Sequence, residues 1–374
     1  MSRRDVVVTG IGIVSALGEG LEPHLAALRG ERPASLDTER FAPYPLHPLA
    51  ALELDRQIPK KSDQRQMEPW QRIGVYSAGL ALDSAGLKDD AEAKSRLQVI
   101  VAAGGGERDH AVDAGILNGL RDATDPGAYL NERLMGDLRP TLFLAQLSNL
   151  LAGNIAIVHG VTGASRTFMG EEQAGVDAIR TAQARIAAGQ ADTVLVGGSY
   201  NAERRDMLLL FELGGMLRRD DVAPVFSRED KPGMITGSVG AFLVLEAAEH
   251  ARDRGAKTFA KLAPVVATRS RRAAGDVEQA LRRALDGFGA AKDVLAISAA
   301  TGVGGITAEE ASALAAFATT PIATGDLVGH GVEAAFPASV ALAAAALSAG
   351  QAREAVVTGA GHRRGEGAAH LVAI

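Results

Sequence analysis

Two stretches decide the fold: QAGVDAIRTAQARIAAGQADTVLVGG at 173–198 and FPASVALAAAALSAGQAREAVVTGAG at 336–361. Each opens as an Ala-rich helical run, breaks at a Gly-Gln-Ala turn (189–191 and 350–352), and continues as a short apolar strand. A second echo pairs VIVAAGGG (99–106) with LAISAATGVGG (295–305). Repetition of the same helix-then-strand grammar is the mark of a duplicated unit, each copy burying its apolar face against the other.

Working outward, apolar runs at 5–14, 98–103, 192–198, 241–246, 294–299 and 354–361 have the β-branched content and Gly punctuation of buried parallel strands. Between them lie helical patterns. In 70–85, Ile73, Tyr76, Leu80 and Ala81 fall on one helix face. Strands alternating with helices predict an α/β fold with helices covering the sheet faces. No low-complexity linker divides the chain, so the halves, 1–250 and 251–374, are expected to share one body. The segment 32–66, rich in Pro and charge, reads as a long surface excursion.

Composition narrows the function. The 374 residues carry a net charge of −6, which gives no reason to expect nucleic-acid binding. The 43 glycines and 4% aromatics suggest close packing of helices on strands around small residues. There is no Cys, so disulfides, thiolate metal sites and thiol nucleophiles are all excluded. The N-terminus runs straight into VVVTGIGIV without an apolar leader, and the Ala-rich run 334–350 is too weakly hydrophobic to span a bilayer. No membrane span and a cytoplasmic location are expected.

Further segments carry a family resemblance. VVVTGIGIVSALGEG (6–20), ALDSAGL (81–87), LSNLLAGNIAIVHGVTGAS (147–165), ADTVLVGGSYNAE (191–203), APVFSREDKPGMITGSVGAFLVLEAAEHARDRGAK (223–257) and VGHGVEAAF (328–336) follow one another as in the β-ketoacyl-acyl carrier protein synthases. The resemblance implies the thiolase-like fold, a duplicated α/β unit stacked as five αβαβα layers. It also implies a site built from a cysteine at a helix start, two histidines and a lysine. There the helix N-terminus lowers the thiol pKa and the histidines stabilise developing charge.

Carried across residue by residue, that site is mostly absent. The nucleophile falls on Glu172, or on Glu171 with a one-residue slip; the first histidine falls on Ala299 and the lysine on Gly325. Glu310 matches the family's acidic residue and supports the register around Ala299. Only the second histidine remains, as His330, while the family's glycine-rich gate is replaced by Arg363-Arg364-Gly365-Glu366. Arg363 and Arg364 are expected to pair with Glu171 or Glu172 and close the pocket.

The resemblance therefore points to a non-condensing partner subunit like the cysteine-less chain-length factors, in a homodimer or beside an active ketosynthase. The expected dimer strand is 192–198. The alternative is altered chemistry such as malonyl decarboxylation, with Glu172 imitating a thioester only if protonated. A nucleotide-binding oxidoreductase is disfavoured, because Tyr44, Tyr76, Tyr129 and Tyr200 lack a Lys four residues later. Acyl carrier protein is a candidate partner; Arg218-Arg219 and Arg269-Ser270-Arg271-Arg272 could dock its acidic surface, but read first as solvated turns. Glu107 and His110 make one Glu-x-x-His spacing, read as a solvated loop pair. No cofactor and no metal site are expected.

Overall fold

The computed structural model describes residues 3–374 except 34, 139–143, 145, 290–293, 316, 318 and 319. Its first unit contains β1 (Val6–Ser15), β2 (Gln98–Ala102), β3 (Ser165–Phe168), β4 (Thr193–Tyr200) and β5 (Val239–Ala247). Its second contains β6 (Ala260–Leu262), β7 (Leu295–Ser298), β8 (Ile322–Ala323), β9 (Glu354–Ala360) and β10 (Glu366–Val372).

The duplication is visible in the pairing. The first unit runs β3-β2-β4-β5-β1 and the second β8-β7-β9-β10-β6. In each, the outer three strands are parallel and the inner two antiparallel. The units meet where β1 pairs with β6, Val6 opposite Leu262 and Val8 opposite Ala260. The strands are thus mixed rather than wholly parallel: β1 and β5 were read correctly as buried runs, but their apolar pattern carries no information on direction.

Helices complete five layers. α1 (Pro69–Ala85) and α2 (Leu150–His159) cover the first unit's outer face, while α5 (Asp276–Asp286) and α6 (Ile306–Ala315) cover the second's. Between the units lie α3 (Glu172–Ala187) and α8 (Ala335–Ser348), the helices of the two repeat segments. α8 is buried from Ala335 to Leu347, so it is apolar on every side, as a central helix must be.

Small residues set these approaches. A Cβ on Gly12 would lie 2.0 Å from the Ser77 carbonyl of α1, and one on Gly175 2.5 Å from the Glu333 carbonyl. Gly10 and Gly12 therefore let a helix press on β1. They cradle no phosphate, since β1 continues through Ser15 into a hairpin with Gly18–Glu19.

Two readings are corrected. The segment 32–66 is anchored rather than purely superficial: Leu46 and Ile58 are fully buried, and Leu46–His47 pairs with Thr236–Gly237. Residues 192–198 lie within and just before β4, which is hydrogen-bonded on both sides, by β2 and β5, and offers no edge for a second chain.

Candidate functional site

The middle helices place the site. α3 starts at Glu172, after Gly170 (φ 135°) and Glu171 (φ 58°, ψ −140°). A positive φ at a non-glycine residue is held against its preference by its surroundings, and such strain gathers at functional positions. It turns the chain sharply from β3 so that Glu172 points inward. Glu172 is 6% exposed.

Two histidines meet it. His330 follows α7 (Thr324–Val328), where its backbone N–H donates to Ile235 at 2.8 Å and its carbonyl accepts from Gly237 at 3.0 Å. Its Nε2 lies 2.9 Å from Glu172 Oε1. His362, in the turn between β9 and β10, brings Nδ1 to 2.8 Å from Oε1 and 3.0 Å from Oε2. The Phe211 ring of α4 (Arg205–Leu213) meets the His362 imidazole edge to face at 5.5 Å and fixes its plane.

Electrostatics follow from burial and partners. Burial opposes charge on Glu172, but the hydrogen bonds and charges of His330 and His362 outweigh it and hold the carboxyl well below its usual range. Burial likewise opposes charge on His362, and Glu172 and Glu171 overcome it, so its pKa is raised. The centre is a buried carboxylate held by two imidazoles and capped by Arg363, whose Nη1 is 3.4 Å from Glu171 Oε1.

The turn over this centre is tied down. Gly361 N–H bonds the Gly365 carbonyl, and Arg272 Nη2 donates to the carbonyls of Gly361 and Gly365 at 2.8 and 3.0 Å. Glu366 is the first residue of β10, buried against Thr268, Ser270 and Arg272.

The structure thus brings together Glu171, Glu172, His330 and Arg363. Arg363 takes Glu171 as anticipated, whereas Glu172 is held by histidines. Arg364 lies over Gly170, 3.0 Å from where a Cβ would stand. Ala299 and Gly325 belong to a second group: Ala299 N–H donates to the Thr358 carbonyl, and a Cβ on Gly325 would meet Val225 Cγ2 at 3.1 Å and the Ala300 carbonyl at 3.7 Å. Glu310 is fully buried beside them, accepting from Ser298 Oγ and Thr358 Oγ1, each at 2.6 Å.

His362, Arg272 and Glu333 were missed. His362 and Arg272 lie far from α3 in sequence, and no spacing signals their approach. Glu333 sits in an apolar run, and an acid there is the one signal that could have exposed it.

Other expectations are corrected. Glu107 is buried, accepting from Trp70 N–H at 2.9 Å and Asn201 Nδ2 at 3.1 Å, so Glu107 and His110 are not a solvated pair. Arg218 is buried and bonds Lys231 and Asp221, and Arg272 faces the site; neither belongs to a solvated turn, whereas Arg219, Arg269 and Arg271 are exposed.

Glu333 is 5% exposed and packs against Gly104, where a Cβ would be 2.3 Å from its Oε1. Burial, reinforced by Glu172 and Glu171, pushes its pKa up to about 7 from 4.5. The folded state therefore keeps a proton that the unfolded state releases. Stability on this account falls as pH rises from 4.5 through 7, by roughly 3 kcal/mol in all. Glu333→Gln should match the parent near pH 4.5 and exceed it at pH 8, as measured by urea unfolding; equal midpoints at pH 8 would contradict the assignment.

A family model, the N-terminal domain of β-ketoacyl synthase, matches residues 3–251. The 3-oxoacyl-[acyl-carrier-protein] synthase 2 of Vibrio cholerae is 27% identical over 83% of this chain and 72% of its own. The tetracenomycin polyketide synthase ketoacyl synthase beta subunit of Streptomyces glaucescens is 29% identical over 68% of this chain and 61% of its own. Among solved structures, the ishigamide ketosynthase/chain length factor superposes with a TM-score of 0.80 at 23% identity, covering 100% of both chains. A β-ketoacyl synthase from Burkholderia phymatum gives 0.81 at 19%, also covering 100% of both. At these identities the structures establish the fold, which is thiolase-like.

Proposed function

The chain belongs to the β-ketoacyl synthase family, and from that premise we propose that it is a non-condensing subunit, of the chain-length-factor kind, acting beside a cysteine-bearing synthase in fatty acid or polyketide synthesis. One observation carries this reading. The helix start that would hold the acyl-accepting thiol holds Glu172, its carboxylate bonded by His330 and His362 in a buried cluster, in a chain without any Cys. A carboxylate so paired forms no thioester. Ala299 and Gly325, taken as the first histidine and lysine positions, supply neither a side-chain hydrogen-bond donor nor a charge for decarboxylation.

The decarboxylase alternative needs a protonated Glu172. Its histidine partners favour the ionised form, which does not imitate a thioester. That alternative is not favoured.

Partnership needs a surface. Among the described residues the two ends of the strand order are β3 and β8. β3 is the longer, and Met169 just beyond it and Ile157 of α2 are 66% and 73% exposed. An edge strand beside apolar side chains invites pairing with another chain. The protein should therefore be a dimer in solution, with itself or with an active homologue, joined along β3. Light scattering at micromolar concentration should give twice the chain mass. A persistent monomer, both alone and mixed with a cysteine-bearing synthase from the same source, would contradict the proposal. No described helix is long and apolar enough to cross a membrane. Acyl carrier protein remains the proposed partner class, with Arg219, Arg269 and Arg271 the exposed members of the basic clusters.

A further inference from the structure

Glu171, Glu172 and His362 each present a ligand atom to one small region, the three atoms lying within 4.8 Å of one another. Acidic groups alone would mean little. His362 makes the difference. Its side chain is fully buried, its Nδ1 is committed to Glu172 at 2.8 Å, and its Nε2 has no hydrogen-bond partner. That open nitrogen faces Glu171 Oε1 at 3.5 Å, too far for a hydrogen bond.

The spacing suits an ion between them. Two ligands bound at about 2.0–2.2 Å to a tetrahedral centre lie roughly 3.4 Å apart. We propose that this corner of the site binds one divalent transition-metal ion of the zinc type, with His362 Nε2 and the Glu171 carboxylate as direct ligands and solvent completing the shell. Imidazole with carboxylate is a donor set that zinc accepts. Glu172 takes the supporting place: a carboxylate bonded to the far ring nitrogen of a metal-binding histidine fixes its tautomer and raises its basicity.

One group competes. Arg363 is 3.4 Å from Glu171 Oε1 with its side chain 45% exposed, so it is the resident cation and is free to swing outward. This gives the proposal a signature of opposite signs. Loss of a ligand weakens binding, and loss of Arg363 strengthens it.

The test uses tag-free, chelator-treated full-length protein titrated with zinc chloride in a calorimeter. One ion per chain is expected. Glu171→Gln and His362→Gln should each remove the binding, Glu172→Gln should weaken it on the order of ten- to a hundredfold, and Arg363→Ala should tighten it severalfold. Circular dichroism checks that each variant folds, and the partly exposed Glu171 carries the test if the His362 variant does not. No zinc uptake by the parent, or uptake that Glu171→Gln leaves unchanged, would overturn the site. Acyl substrates are absent from this experiment, so its failure would leave the proposed function standing.

Discussion

Glu172→Cys should accept an acyl group and still fail to condense. The new thiol would stand at the start of α3, facing His330 Nε2 and His362 Nδ1, which now hold the Glu172 carboxylate at 2.9 and 2.8 Å. A helix N-terminus favours the thiolate and the neighbouring imidazoles can take its proton, so slow acylation by a reactive thioester is expected. Decarboxylation of the malonyl partner is a separate step. It needs donors where the proposed mapping finds Ala299 and Gly325, and each missing group of that kind costs about 10²–10³ in rate. Product formation from malonyl carrier protein should therefore be at least about 10²–10³ faster in Glu172→Cys/Ala299→His/Gly325→Lys than in the single variant. The tight point is Gly325, where a Cβ meets Val225 Cγ2 at 3.1 Å and must push it aside by a few tenths of an ångström. Rapid condensation by the single variant would show that the mapping of the site is wrong.

Glu172→Ala should be among the most destabilising single changes in the molecule. It leaves two imidazoles buried, both at 5% exposure or less, without their shared acceptor. Removing one partner of a buried pair costs about 3–5 kcal/mol, far more than the pair contributes over an apolar replacement. The pH dependence has a definite sign. The folded Glu172 carboxyl lies below its ordinary 4.5, so its contribution is present above that value and fades as pH falls through the folded one. His362 lies above its ordinary 6.5, so its contribution is complete below that value and fades as pH rises through the folded one. The gap between parent and variant should be widest between about 4.5 and 6.5 and should narrow on both sides. Denaturant unfolding across pH 3–9 measures it; a gap under about 1 kcal/mol at pH 6 would mean that Glu172 is not the hub of the cluster.

The architecture was legible because duplication leaves its trace in apolar patterning. Both repeat segments are middle-layer helices followed by strands, α3 to β4 and α8 to β9, and 70–85 is α1 with one residue added at its start. Strand direction was not legible, since β1 and β5 are buried on both faces whichever way they run. Nor was the free edge. Residues 192–198 look like an apolar strand suited to an interface, yet only the pairing partners show that β4 lies inside the sheet and β3 outside.

The site was legible along one line only. Glu172 and His330 could be singled out because each lies in a segment that resembles a family motif. His362 stands just before the residues that replace the family's gate and Arg272 closes a basic cluster, and nothing in either spacing ties them to α3. Their roles come from the β9–β10 turn folding back onto α3. Glu333 was hidden by apolar neighbours, and its raised pKa comes first from burial and then from two carboxylates that only the fold brings near.

The central claim is that this chain keeps the synthase scaffold but carries no acyl group itself. Intact-mass measurement of the purified protein, after incubation alone with an acyl-loaded carrier protein, tests this most directly. The account predicts an unchanged mass, because Glu172 is a paired carboxylate and no thiol exists anywhere in the chain. A stoichiometric gain equal to the acyl group would contradict it.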